Sequence, residues 1–170
     1  RSHRTAAAGA CSEKAQEKAD APPPEDPPYS GETYTDYSIT FAAPCEPKAL
    51  CMSETCFYLG ENKPFETCVD GKFGLAHSLF DNDAIFLTEM ASEVTLSSNI
   101  SGRFVKVTYP GMKYVGFWHK PQTEAPYVCI EPWSSVPADD GKVDDLETKR
   151  DMYRLASGAV NEQSFTITIG

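Results

Sequence analysis

At 170 residues the chain has room for one hydrophobic core and falls within the usual single-domain range. Its 15 Lys and Arg stand against 25 Asp and Glu, and the formal net charge of -10 argues against nucleic acid and anionic membrane surfaces as partners. Affinity for polyanions rests on cationic neutralisation of phosphates. The apolar runs are far shorter than the roughly 20 residues that cross a bilayer, so a soluble chain is expected.

Residues 1–30 differ from the rest. An Ala- and Lys/Glu-rich stretch over 13–19 could form a short isolated helix, but Pro22-Pro23-Pro24 and Pro27-Pro28 follow it and favour polyproline II or disorder. The segment reads as low-complexity and outside the core, with the folded part over 31–170. Arg1-Ser2-His3-Arg4 is basic, but no apolar h-region follows it, so the cytoplasm is the expected compartment. The absence of an initiating Met suggests a processed product or the tail of a longer reading frame. The six cysteines (Cys11, Cys45, Cys51, Cys56, Cys68 and Cys129) lack a CxxC pairing pattern and are expected to be free thiols. A structural zinc on Cys45, Cys51 and Cys56 is disfavoured.

From Gly31 the signals are those of a β protein. Tyr37, Ile39 and Phe41 alternate with polar residues, the period of two that buries one strand face. Residues 44–69 are broken by Pro44, Pro47, Gly60 and Pro64, which predicts loops with short strands near 50–52 and 57–59. Ala84-Ile85-Phe86-Leu87 reads as a buried strand behind the acidic cluster Asp81-Asn82-Asp83. Residues 94–96 and 104–109 flank turn chemistry at Asn99, Ser101 and Gly102 and predict an antiparallel hairpin. Tyr114-Val115-Gly116-Phe117-Trp118 is a further strand, residues 144–155 are the best helical candidate, and Phe165-Thr166-Ile167-Thr168-Ile169 alternates like a half-buried strand. About seven to nine short strands at such spacings predict an all-β, antiparallel β-sandwich. A doubly wound α/β sheet is disfavoured, and no Gly-rich phosphate loop, GxSxG elbow or HExxH helix is present.

The stretch Tyr127-Val128-Cys129-Ile130-Glu131-Pro132-Trp133 is the best candidate site. Its apolar centre predicts a strand buried on both faces, and Pro132, which cannot donate to a ladder, should end it and turn Glu131 toward a cleft. Tyr127, Cys129 and Glu131 should point to one side, Val128 and Ile130 to the other. Trp133 adds a flat apolar plane beside a carboxylate, a combination suited to stacking on a sugar ring and accepting from its hydroxyls. A solvated strand end is the plainer alternative.

These residues in this order resemble a known family. Gly31 to Phe41, then Leu79-Phe80-Asp81-Asn82-Asp83-Ala84, then Tyr114-Val115-Gly116-Phe117-Trp118, then Cys129-Ile130-Glu131-Pro132-Trp133 is similar to the C-terminal half of aldose 1-epimerase (galactose mutarotase-like) proteins, over roughly residues 31–170. The resemblance implies part of a large β-sandwich (supersandwich) that binds a hexose and interconverts its α and β anomers, an isomerase activity in carbohydrate metabolism. It requires no metal or organic cofactor. By motif position Glu131 corresponds to the general base. Asp83, with Asp81 second, corresponds to an acidic residue that binds sugar hydroxyls, although an Asx turn explains the cluster equally well. Trp133 and Trp118 are candidates for stacking on the sugar, Trp118 reading first as core.

The family's general acid, a His in a His-Pro-small-Phe-Asn stretch, falls here at Ala21-Pro22-Pro23-Pro24-Glu25, which holds no His. His77 and His119 read as surface or core-edge residues, and the N-terminal half of the family fold is absent. The activity of this chain is therefore expected to be weak. Two other readings remain: a non-catalytic carbohydrate-binding module, and a truncated half-sandwich whose unpaired strands favour self-association.

Overall fold

The computed structural model describes residues 31–170. The low-complexity segment expected over 1–30, its helix over 13–19 and Cys11 lie outside the described residues. Those described form ten strands: β1 (Tyr37–Phe41), β2 (Lys48–Met52), β3 (Tyr58–Pro64), β4 (Lys72–Gly74) and β5 (Ile85–Thr88), followed by β6 (Glu93–Ser98), β7 (Phe104–Thr108), β8 (Tyr114–Trp118), β9 (Cys129–Trp133) and β10 (Thr166–Ile169). Their pairings make two five-stranded antiparallel sheets, one in the order β10-β7-β6-β1-β4 and the other β3-β2-β5-β8-β9. The expected sandwich is present, and the hairpin expected around Asn99 is β6–β7, with Leu96 opposite Val105. No helix among the described residues is long and apolar enough to cross a membrane.

Alternation decides which side chains enter the core. The first sheet contributes Ile39, Phe41, Phe73, Val94 and Val107, and the second contributes Leu87, Val115 and Phe117, all buried in one cluster. Phe117 meets Phe73 edge to face at 5.6 Å, an arrangement that adds to the roughly 1.5–3 kcal/mol from burying each such side chain. Gly71 holds the corner into β4, where its φ of 78° and its place 2.7 Å from the Ala43 carbonyl oxygen, measured to a hypothetical Cβ, leave no room for a side chain.

The opposite face of the second sheet carries the intervening residues. Leu50, Tyr58 and Val136 are buried there, with Met52, Phe86 and Tyr114 packed against them. The chain after β9 crosses this face and is tied down at several points. Asp140 N–H donates to the Tyr58 carbonyl at 2.8 Å, the Arg150 guanidinium lies 4.7 Å over the Tyr58 ring, and Asp151 accepts from Lys113 and, at 2.7 Å, from the Tyr114 hydroxyl.

Three expectations are corrected. Residues 144–155 form turns and irregular chain, not a helix. Leu146, Tyr153 and Leu155 are exposed, so a helix would bury no apolar stripe. The Asp145 carboxylate accepts the Glu147 N–H at 2.9 Å, a local bond that competes with helix formation, and Asp151 adopts a left-handed φ of 59°. The strand carrying Glu131 is half-buried throughout and continues through Pro132, which stands opposite Val115. Proline is tolerated there because β9 is the last strand of its sheet and can present its N side to no neighbour. The expected half-buried strand at the C-terminus is β10, but all four of its residues are exposed, since it is an edge strand paired only to β7. Lys72–Gly74, to which the sequence assigns no element, forms the short strand β4.

Candidate functional site

Three strands of the second sheet place the site. Across β5, β8 and β9 the register sets Phe86 opposite Gly116 and Gly116 opposite Glu131. These three therefore share the face turned away from the core, with Trp118 and Cys129 in the row on one side and Tyr114 and Trp133 in the row on the other. The expected sidedness of β9 holds, since Val128 and Ile130 pack on the core cluster. Gly116 is what lets the row close up. A Cβ at this position would stand 3.1 Å from the Phe86 ring and 3.4 Å from the Glu131 Cβ. Phe86 and Trp133 pack with ring centroids 4.7 Å apart, giving an aromatic wall beside the carboxylate.

Glu131 is half-buried. Burial pushes its carboxyl above the ordinary glutamate range, a hydrogen bond with the Trp133 side chain opposes the shift, and the nearby Asp83 carboxylate reinforces it. A raised, partly shielded carboxylate next to a second acid is the environment that tunes a base toward neutrality.

Asp83 reaches the same cluster from the turn before β5. One of its oxygens accepts the Trp118 indole N–H at 2.7 Å and the other faces the Cys56 thiol at 3.3 Å. Trp118 is accordingly half-buried with its polar edge committed to Asp83, which corrects its assignment to the core. Asp83 has a φ of 83° and Cys56 a φ of 61°, a conformation disfavoured for residues with a Cβ. Burial and the Asp83 carboxylate both raise the Cys56 thiol, which keeps it protonated as a donor.

A cavity of about 340 Å³ opens on this side, bordered by Asp83, Cys56, Phe86 and Met52. Glu131 does not line it. A second cavity of about 350 Å³, bordered by Asp139, Lys142, Asp144, Lys149 and Arg150, contains none of the four clustered candidates. Its charges are largely paired among themselves, for example Lys149 with Asp144 at 2.9 Å.

Of the five residues singled out in the sequence, Glu131, Asp83, Trp118 and Trp133 come together. Asp81 does not; it is exposed on the turn. Sequence reasoning missed Phe86, Gly116 and Cys56. The first two were available from alternation plus the glycine inside an aromatic strand, whereas nothing local marks Cys56, which arrives from the β2–β3 connection.

The histidines occupy another locality. His119 is fully buried, which corrects its reading as a surface or core-edge residue. Its ring packs 4.7 Å from Phe80, and its Nε2 lies 3.4 Å from His77 Nδ1. His77 stacks on Tyr34 at 4.0 Å and faces Glu124 at 3.5 Å. Burial lowers the His119 pKa, so its ring is held neutral. The five described cysteines, Cys45, Cys51, Cys56, Cys68 and Cys129, are free. No group of three or more potential metal ligands gathers among the described residues.

No protein-family model matches the chain, and no curated protein matches it significantly. Solved structures do. A galactose mutarotase-like protein from Lactobacillus casei superposes with a TM-score of 0.69 at 20% identity, over 80% of this chain and 47% of that one. A galactose mutarotase related enzyme from Lactobacillus acidophilus gives 0.69 at 23% identity, over 85% of this chain and 49% of that one. The fold is that of a galactose mutarotase-like protein. The chain spans about half the length of the mutarotase-like structures it matches, and on this mutarotase-like scaffold the Glu131 cluster lies on the outward face of the second sheet.

Proposed function

We propose that the chain binds a neutral hexose against Trp133 and Phe86 and that Glu131 acts as general base in interconverting its anomers. The observation that carries this reading is a half-buried Glu131 with a raised pKa, set beside an aromatic wall and within electrostatic reach of Asp83. In the reaction Glu131 takes the proton from the anomeric hydroxyl, the C1–ring-oxygen bond breaks as the ring oxygen gains a proton, and a carbonyl forms at C1. Rotation about C1–C2 and the reverse steps on the other face give the second anomer. Asp83, fixed by Trp118 and Cys56, keeps lone pairs for sugar hydroxyls. Neither His77 nor His119 belongs to the cluster, so water or a group outside the described residues supplies the ring-oxygen proton. Lacking a positioned acid typically costs a factor of about 10² to 10⁴ in rate.

The missing acid also favours a second reading, a carbohydrate-binding module that holds the sugar without turning it over. NMR exchange spectroscopy on α-glucose and α-galactose decides between them. The catalytic reading expects anomer exchange above the buffer rate that Glu131→Gln abolishes. Equal rates for both proteins would remove the catalytic role, and sugar binding without exchange would establish the module. Self-association is a third reading, motivated by the edge strand β10, where Ile167 and Ile169 are exposed. A monomer in size-exclusion chromatography across a wide concentration range would sink it.

A further inference from the structure

We infer that β10 is the contact surface for a second copy of this chain, added strand to strand about a twofold axis through Ile167. This rests on the self-association reading above and gives it a site and a register. Among the described residues the two sheets end in four edges, β10 and β4 in the first and β3 and β9 in the second. An open edge invites another strand, and proteins block it with charge, with proline or by keeping the strand very short. All but β10 are blocked in this way. β3 carries Glu61, Lys63 and Pro64, β9 carries Glu131 and Pro132, and β4 is three residues long and begins at Lys72. β10 has neither charge nor proline.

What this edge offers follows from its pairing with β7. Gly170 and Phe104 exchange both backbone hydrogen bonds, at 3.1 and 2.8 Å. In an antiparallel ladder the pattern repeats every second residue, so Thr168 and Thr166 also turn their N–H and C=O groups to β7. Those of Ile169, Ile167 and, immediately before the strand, Phe165 therefore point outward. The side chains of the same three residues are 78%, 56% and 57% exposed, although Ile167 and Ile169 stand opposite Val107 and Val105 of the core cluster. The apolar face of the first sheet thus runs out onto β10 without a cover.

The occupant is a second copy because the segment is complementary to itself. Phe165-Thr166-Ile167-Thr168-Ile169 alternates apolar and polar residues identically in both directions. Laid antiparallel on itself about Ile167, it sets Ile167 against Ile167 of the second copy, Phe165 against its Ile169 and Thr166 against its Thr168. Every outward N–H then meets an outward C=O, and every apolar side chain an apolar one. A slip of one residue would set threonine against isoleucine and aim the free amides at groups already bonded to β7. The contact joins the two first sheets into one, with the exposed isoleucines of both copies side by side. The net charge of -10 on each copy opposes it, so backbone bonds and apolar burial hold it, not ion pairs.

The test is analytical ultracentrifugation of the full chain over a wide concentration range. The parent chain should show a monomer–dimer equilibrium that tightens as salt screens the mutual repulsion. Ile167→Lys, which puts two like charges on the axis, should weaken it about tenfold or more. Ile167→Pro should do the same, since the N–H it removes points away from β7. Val160→Lys makes the same charge change at an exposed apolar residue outside the strand and should leave dimerisation unchanged; circular dichroism verifies the fold of each variant. By NMR, the Ile167 and Ile169 amides should be protected from hydrogen exchange in the dimer and lose that protection on dilution. A chain that stays monomeric overturns both the contact and the self-association reading. Dimers that survive both Ile167 substitutions, or that Val160→Lys disrupts equally, overturn the contact at β10 and leave self-association standing. Protection of these amides in a monomer would show the edge covered by the chain's own residues and overturn the contact likewise.

Discussion

The two faces of the second sheet are made by the same strands and do opposite things. On one face Leu87, Val115 and Phe117 are fully buried against the first sheet. On the other, one residue along in each strand, Phe86, Gly116 and Glu131 form a row that is only partly covered. The inner face is apolar and closed, so its contribution is packing. The outer face holds a carboxylate in a setting dry enough to shift its titration yet open enough to leave a cavity alongside. The proposed site lies on the face that is only partly covered, held in place by the face that the sandwich seals.

The sharpest way to break this contrast is at its inner side. Phe117→Ala removes an aromatic ring from the centre of the core and should cost about 3–5 kcal/mol, read as a large drop in the urea midpoint. On the outer side Glu131→Gln should remove most anomer exchange, about 10²-fold or more, with little change in the urea midpoint. If Glu131→Gln instead destabilised the protein as Phe117→Ala does, the outer face would be core and the contrast would vanish.

The pH dependence of Glu131 sharpens the same point. Its folded pKa is raised, so the unfolded chain ionises first as pH rises; between the ordinary glutamate value and the raised one, the residue makes stability fall with pH. Glu131→Gln should flatten that portion of the stability profile. In the parent protein the acid limb of the exchange rate should lie above the ordinary glutamate value.

A smaller effect is expected at Gly116. Gly116→Ala brings a methyl against Phe86 and Glu131 and should cost about 1–3 kcal/mol through overpacking, with weakened sugar binding in NMR titration. The smallest is at the strap that crosses the outer face. Burial alone would raise the Asp151 carboxyl, but the Lys113 ammonium and the Tyr114 hydroxyl hold it below its ordinary value. Its contribution is present above the unfolded aspartate value and is lost as pH falls through the lower folded one. Asp151→Asn should cost at most about 1 kcal/mol and remove that acid-side slope in urea titrations.

Much of this architecture was legible from local pattern. Tyr37, Ile39 and Phe41 announce β1 through alternation, and Asn99, Ser101 and Gly102 announce the β6–β7 hairpin through turn chemistry. The failures have physical causes. The 144–155 stretch has helix-forming residues, but nothing apolar to pack them on, and its carboxylates are spent on ion pairs and turns. Trp118 looked like core because an indole within a strand is mostly hydrocarbon; its one N–H found a carboxylate 35 positions away. His119 looked peripheral because an imidazole is polar, yet neutral it fits among Phe80, Tyr34 and His77.

By itself the order of residues determined the strands, their sidedness and the carboxylate at Glu131, because a period of two and the φ limits of proline and glycine act over a few bonds. Only the tertiary structure decided which strands became edges, that Pro132 could remain in one of them, and that Asp83, Cys56 and Phe86 would border a cavity with Glu131 on the same face but outside its lining. Those outcomes depend on sheet order and register, which bring together groups whose separation along the chain carries no trace of their contact.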